Sequence, residues 1–172
     1  MTQKVMGVAG FKNAGKTTLV EKLVRELTRR GYRIATVKHA HHSFDIDHEG
    51  RDSFRHRKAG ASEVAVISGQ RWAIIHELRG EDEPSFAQIL AKLEPCDLVI
   101  VEGYKSAAIP KIEVHRSACP TPLLHPDDPH VVAVVTDEEL DTRLPQIALD
   151  DAPGVARFIV KFLALDRARL VR

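Results

Sequence analysis

Short apolar runs alternate with amphipathic stretches along this chain, and the two periods separate cleanly. Lys4–Ala9, Tyr32–Lys38, Asp97–Val101, Lys111–Val114 and Val131–Val135 are runs of strand length, rich in Val and Ile. Between the first two, Leu19, Val20, Leu23, Val24 and Leu27 recur at helical spacing, with Gly31 where a C-cap falls. Asp52–Ala59 reads as a short helix stopped by Gly60. Glu63–Ile67 and Trp72–His76 flank Ser68-Gly69-Gln70-Arg71, a hairpin connection containing Gly. Ser85 is an N-cap for a helix to Leu93, and Asp151 with Pro153 opens a final helix through about Ala168. Ser117–Pro129 holds four of the nine prolines and reads as an irregular loop.

Strands alternating with helices predict an α/β fold with a mainly parallel sheet. The hairpin adds an antiparallel element, expected at an edge. No repeat or low-complexity linker interrupts the 172 residues, which suit one domain, 1–172, with a hairpin insertion at about 63–76. The hydrophobic content of 44% and charged content of 28% are ordinary for a globular protein. A net charge of +1 gives no footprint for nucleic acid. No apolar stretch nears the ~20 residues that span a bilayer, and no signal-peptide pattern opens the chain, so the expected compartment is the cytoplasm without membrane attachment. Cys96 and Cys119 form no C-x-x-C pair and are expected as free thiols.

The first strand runs into Gly10-Phe11-Lys12-Asn13-Ala14-Gly15-Lys16-Thr17, which fits G-x-x-x-x-G-K-[ST]. Its glycines let backbone N–H groups turn inward on an anion at a helix N-terminus. Gly10, Asn13, Ala14, Gly15, Lys16, Thr17 and Thr18 are therefore the expected phosphate cradle. Lys16 would stabilise β- and γ-phosphate charge, and the Thr17 hydroxyl would ligate Mg²⁺. In Asp97–Gly103, an apolar run ends on Glu102, at the carboxyl end of a strand where ligands bind in open α/β sheets. Glu102 is the expected Mg²⁺ carboxylate, with a surface acid as the alternative. Asp97 starts the same strand and belongs to the opposite edge.

Two further features stay open. In Lys38–His48, Asp45 and Asp47 alternate, as do His39 and His41. This segment reads as a nucleotide-sensing loop whose aspartates position Mg²⁺ or the attacking water, as a transition-metal site, or as a solvated polar loop. A full N-K-x-D guanine motif is absent. Asp137 follows the strand Val131–Val135, where a carboxylate can accept from guanine N1 and N2; it can equally cap a helix starting at Asp137–Leu140.

The chain resembles the molybdopterin-guanine dinucleotide biosynthesis protein B (MobB) family from roughly Val5 to Phe162. The likeness rests on G-F-K-N-A-G-K-T-T at Gly10–Thr18 and V-K-H-A-H-H-S-F-D-I-D at Val37–Asp47. It continues through G-R-D-S-F-R-H-R-K-A-G-A at Gly50–Ala61, Q-R-W-A at Gln70–Ala73 and L-V-I-V-E-G-Y-K at Leu98–Lys105. The resemblance implies a P-loop NTPase-type fold with an added β-hairpin, GTP and Mg²⁺ as ligands, slow hydrolysis, and a homodimer. It implies an accessory role in molybdenum cofactor biosynthesis, assisting a MobA-like guanylyltransferase that joins GMP to molybdopterin. Lys16, Thr17 and Glu102 match the nucleotide and Mg²⁺ positions, and Asp45 and Asp47 fall in the family's H-x-F-D-x-D element. Ser43 stands where an acid is common and Arg51 where Lys is common, which removes one metal contact and keeps one charge. Lys12 stands one residue beyond the place of the lysine that acts across the dimer in related ATPases. Arg51, Arg55 and Lys105 are expected to meet a pterin phosphate if molybdopterin binds. Two other classes compete: a small-molecule kinase with an arginine lid from Arg51–Arg57, and a nickel-delivery GTPase using the histidines.

Overall fold

The structure is a computed structural model that describes residues 3–40, 44–119 and 121–165. The chain divides into two compact units, residues 1–39 with 93–172, and residues 40–92.

The first unit is built on six parallel strands: β1 (Val5–Ala9), β2 (Ile34–Lys38), β5 (Leu98–Glu102), β6 (Lys111–Val114), β7 (Val131–Thr136) and β8 (Gln146–Ala148). Their order across the sheet is β2-β5-β1-β6-β7-β8. Residues 98–102 are buried throughout, as a central parallel strand covered on both faces requires. Strand alternation splits the buried positions. Met6, Val8, Leu98, Ile100, Ile112, Val114, Ala133 and Val135 face helices α1 (Lys16–Arg29) and α4 (Ala152–Phe162). The α1 stripe Leu19, Leu23 and Leu27 and the α4 stripe Val155, Ala156 and Ile159 complete that core.

On the opposite face β6 carries two charged residues, Lys111 and Glu113, each 1% exposed. Both find polar partners in the proline-rich segment. Lys111 Nζ lies 2.5 Å from Asp128 and donates to the Lys105 carbonyl at 2.6 Å. Glu113 accepts the N–H groups of Leu124 and His125, and His125 Nδ1 stands 2.9 Å from it. Buried charges are tolerable only with such partners.

The second unit holds α2 (Asp52–Ala59), the hairpin β3 (Glu63–Ile67) and β4 (Trp72–His76), and α3 (Phe86–Lys92). The hairpin is closed by Ser68 N–H on the Arg71 carbonyl at 2.9 Å. The Gly-containing connection and both strands match the sequence expectation, but the hairpin is a sheet of its own, not an edge of the parallel one. Ile67, Trp72 and Ile74 line one face of it and are exposed.

Two expectations need correction, and one strand had none. The three-residue strand β8 has no apolar run to announce it. The last helix ends at Phe162, because Leu163 caps it and Ala164 takes φ 46°, a left-handed turn. Ala168, its expected end, lies outside the described residues. No helix follows Asp137; residues 137–145 are irregular. Among the described residues no helix is long and apolar enough to cross a membrane.

Candidate functional site: a glycine loop at the carboxyl edge of the sheet

All six strands of the first unit are parallel, so the segments that leave their carboxyl ends share one edge. β1 leads into the glycine loop there. Gly10 adopts φ 146°, and a Cβ on it would lie 2.4 Å from the Val114 carbonyl oxygen, so no side chain fits. Asn13 (φ 66°) and Gly15 (φ 97°) continue the curl, and Ala14 is buried beneath it. Gly15 is the N-cap of α1, with no side chain capping the helix and no acid in its first turn. The first N–H groups of α1 are thus left for an anion, where the helix dipole also favours negative charge.

Lys16 Nζ donates to the Phe11 carbonyl at 2.6 Å, folding the lysine back over its own loop. Burial pushes its pKa down, Glu102 opposes that, and the neighbouring Lys105 and Lys38 add to it. An ammonium group held this way gains from a phosphate. Thr17 Oγ1 donates to Glu102 Oε1 at 2.7 Å, joining the start of α1 to the end of β5. A hydroxyl and a carboxylate are the hard oxygen donors that suit Mg²⁺. Thr18 follows Thr17 on the first turn and is exposed.

The end of β5 is fastened to the end of β2. Lys38 pairs with Glu102 in the strand register, and His39 N–H donates to the Glu102 carbonyl at 2.9 Å. Gly103 takes φ 99°, and a Cβ there would meet the His39 carbonyl oxygen at 2.7 Å. Beyond it, the Tyr104 and His39 rings lie 4.7 Å apart. Lys38 Nζ sits 3.6 Å from Glu102 Oε1, the oxygen that also takes the Thr17 hydroxyl. Lys105 Nζ lies over the Phe11 ring at 4.3 Å. As expected, Asp97 is at the opposite edge, where its carboxylate accepts Arg33 N–H.

Further along the edge, the ends of β7 and β8 and Lys22 of α1 border a cleft of about 800 Å³. Thr136, Asp137, Glu138, Ala148 and Asp150 also line it. Asp137 Oδ1 accepts Ser117 N–H at 2.7 Å, and this bond holds its carboxyl below the usual range. Asp137 therefore braces a loop instead of capping a helix, and presents an ionised acceptor to the cleft.

Asp45 and Asp47 belong to the second unit, where Arg57 gathers them. Arg57 lies 2.8 Å from Asp45 Oδ1, 3.5 Å from Asp47 Oδ2 and 2.5 Å from Glu77. The Arg57 bond, then the Asp47 N–H, holds the Asp45 pKa down. Asp47 Oδ1 also takes the His48 N–H and the Ser53 hydroxyl. Arg57 is thus committed to three acids, unlike a lid arginine that awaits phosphate, while Arg51 and Arg55 are exposed. His41 and Ser43 lie outside the described residues. Among the described residues no group of three His, Cys, Asp or Glu is arranged to hold a metal ion.

Lys38 and Ser117 escape a reading by motif, and Arg57, read there within a possible arginine lid, instead gathers acids. For Lys38 a signal existed: it ends a strand, as Glu102 does.

Comparison with known proteins follows the same lines. Residues 5–137 match the family model for molybdopterin guanine dinucleotide synthesis protein B. A molybdopterin-guanine dinucleotide biosynthesis adapter protein of Haemophilus influenzae is 38% identical over 162 residues, 92% of this chain and 89% of its own length. The protein of the same name from Escherichia coli is 36% identical over 164 residues, 92% and 93% of the two chains. Among solved structures, molybdopterin-guanine biosynthesis protein B superposes with a TM-score of 0.74 at 27% identity, over 93% of this chain and 99% of that one.

Proposed function

Since the chain belongs to the molybdopterin guanine dinucleotide synthesis protein B family, we propose that it is a GTP-binding adapter of molybdenum cofactor maturation. In this reading it binds Mg·GTP at the glycine loop and assists a MobA-like guanylyltransferase in attaching GMP to molybdopterin. The observation that carries the nucleotide reading is the Thr17–Glu102 pair, 2.7 Å apart at the uncapped start of α1. Those two oxygens would hold Mg²⁺, which neutralises phosphate charge when bound. Lys16 would leave the Phe11 carbonyl for the β- and γ-phosphates, and the loop N–H groups would take the remaining oxygens. Asp137 is the acceptor for guanine N1 and N2 in the cleft beside α1. Asp45 and Asp47 keep their proposed part in hydrolysis, which is at most slow, and their substitution tests it.

Lys105, exposed beside a second cleft of about 460 Å³ with Phe11, Ser106 and His130, supports a pterin phosphate contact in the same reading. A homodimer and a cytoplasmic site of action complete the proposal, and the exposed Ile67, Trp72 and Ile74 face supports an assembly.

Calorimetric titration with Mg·GTP and Mg·ATP, on the wild type and Lys16→Ala, tests the core of this reading. GTP preference that disappears in the variant is expected. ATP preference, or equal weak binding of both, refutes it and favours the kinase class.

A further inference from the structure

We infer that Lys38 reads the terminal phosphate of the bound nucleotide, making the site discriminate nucleoside triphosphate from diphosphate. The inference rests on the nucleotide reading above and adds a residue to it.

The backbone of Lys38 is fixed while its head is not. The strand register sets it beside Glu102, the next residue's N–H is bonded to the Glu102 carbonyl, and Gly103 packs on the His39 carbonyl. The side chain beyond is 63% exposed, and its ammonium stands 3.6 Å from Glu102 Oε1, outside hydrogen-bond length. An exposed, loose ion pair of this kind adds little stability. A structural purpose therefore accounts poorly for a lysine so firmly placed.

Its partner is already engaged elsewhere. Glu102 Oε1 takes the Thr17 hydroxyl at 2.7 Å, so Lys38 shares an oxygen with the pair assigned to Mg²⁺. Lys16, Lys38 and Lys105 sit close enough for the other two to press on the Lys16 charge, three cations around one carboxylate. Lys16 is bound to its own loop, and Lys105 lies over the Phe11 ring. Lys38 is held by a pair already outside hydrogen-bond length. When Glu102 turns to a divalent cation, Lys38 loses its counter-charge and needs another anion. In the nucleotide reading that anion is the end of the phosphate chain, whose inner groups the glycine loop and Lys16 would hold beside Glu102. A diphosphate ends one group earlier and leaves Lys38 without that contact.

The test is calorimetric titration of Mg·GTP and Mg·GDP into wild type, Lys38→Met and Lys38→Arg, with Lys16→Ala alongside. Lys38→Met is expected to weaken GTP about tenfold, as loss of one charge-assisted contact does, and GDP less than about threefold. Lys38→Arg should recover most of the GTP affinity. Because the side chain is exposed, all three proteins should melt alike. Equal losses for GTP and GDP, or no loss, overturn the inference and leave the nucleotide reading intact. A wild type indifferent to GTP, or to Lys16→Ala, overturns the nucleotide reading and this inference with it.

Discussion

Gly10→Ala puts a methyl group where the backbone has no space, and the cost can be worked from two distances. The new Cβ would stand 2.4 Å from the Val114 carbonyl oxygen, whereas ordinary contact begins at 3.4 Å. The glycine loop and the end of β6 must therefore part by about 1 Å, or the carbonyl must twist, against a strand paired on both sides. Overpacking of that kind costs about 1–3 kcal/mol. The positive φ adds a backbone cost of about 1–2 kcal/mol. Gly15→Ala is the control, because it too has a positive φ, 97°, with nothing within 4 Å of its Cβ. The difference between the two variants thus reports mainly the steric part. At about 2–4 °C per kcal/mol for a chain of this size, Gly10→Ala should melt roughly 2–12 °C below Gly15→Ala. Thermal melting followed by circular dichroism gives the comparison. If Gly10→Ala melts with Gly15→Ala or above it, the close approach to Val114 is not a constraint and the reasoning fails.

Two other outcomes follow from the same geometry. Asp137→Asn keeps an oxygen for the Ser117 N–H but replaces the second acceptor with a donor, so GTP should weaken about tenfold or more while xanthosine triphosphate improves; competition binding with the two nucleotides decides it, and unchanged preference removes Asp137 from base recognition. Glu26 accepts from Arg29 and Arg30, and these bonds hold its carboxyl down to about 2 from 4.5. A lowered pKa means the stabilisation is complete above about pH 4.5 and is lost as pH falls toward about 2. Acid melts of Glu26→Gln should lack that part of the slope, and identical slopes would show the pairs contribute nothing.

Much of the fold was legible because its signals are local. Ser68–Arg71 between two β-branched runs fixes a hairpin, and Gly60 ends its helix, without any knowledge of the rest. That Thr17 and Glu102 would meet was legible because a glycine loop after one strand and an acid ending another both fall at the carboxyl edge of a parallel sheet. What escaped depends on register and on distant partners. β8 is three residues at the sheet edge, one of them half-buried, and too short to carry a period. Lys111 and Glu113 break the apolar pattern of a central strand, yet are satisfied by residues up to 17 positions further along the chain, which no local rule anticipates. Asp45 and Asp47 show the opposite case: their spacing suggested chemistry, and the structure adds an Arg57 partner that spacing alone does not reveal.

The stitched segment from Ser117 to Pro129 has a practical consequence for anyone labelling this protein. Its four prolines make it look like a natural place to splice in an epitope or a fluorophore-carrying peptide. It is a poor one, because lengthening it would pull Leu124, His125 and Asp128 away from a carboxylate and an ammonium that have no water to fall back on. The Ser68–Arg71 turn is exposed and carries hydrogen bonds within itself, so a graft there leaves these buried charges undisturbed, although it adjoins the exposed Ile67 and Trp72 face.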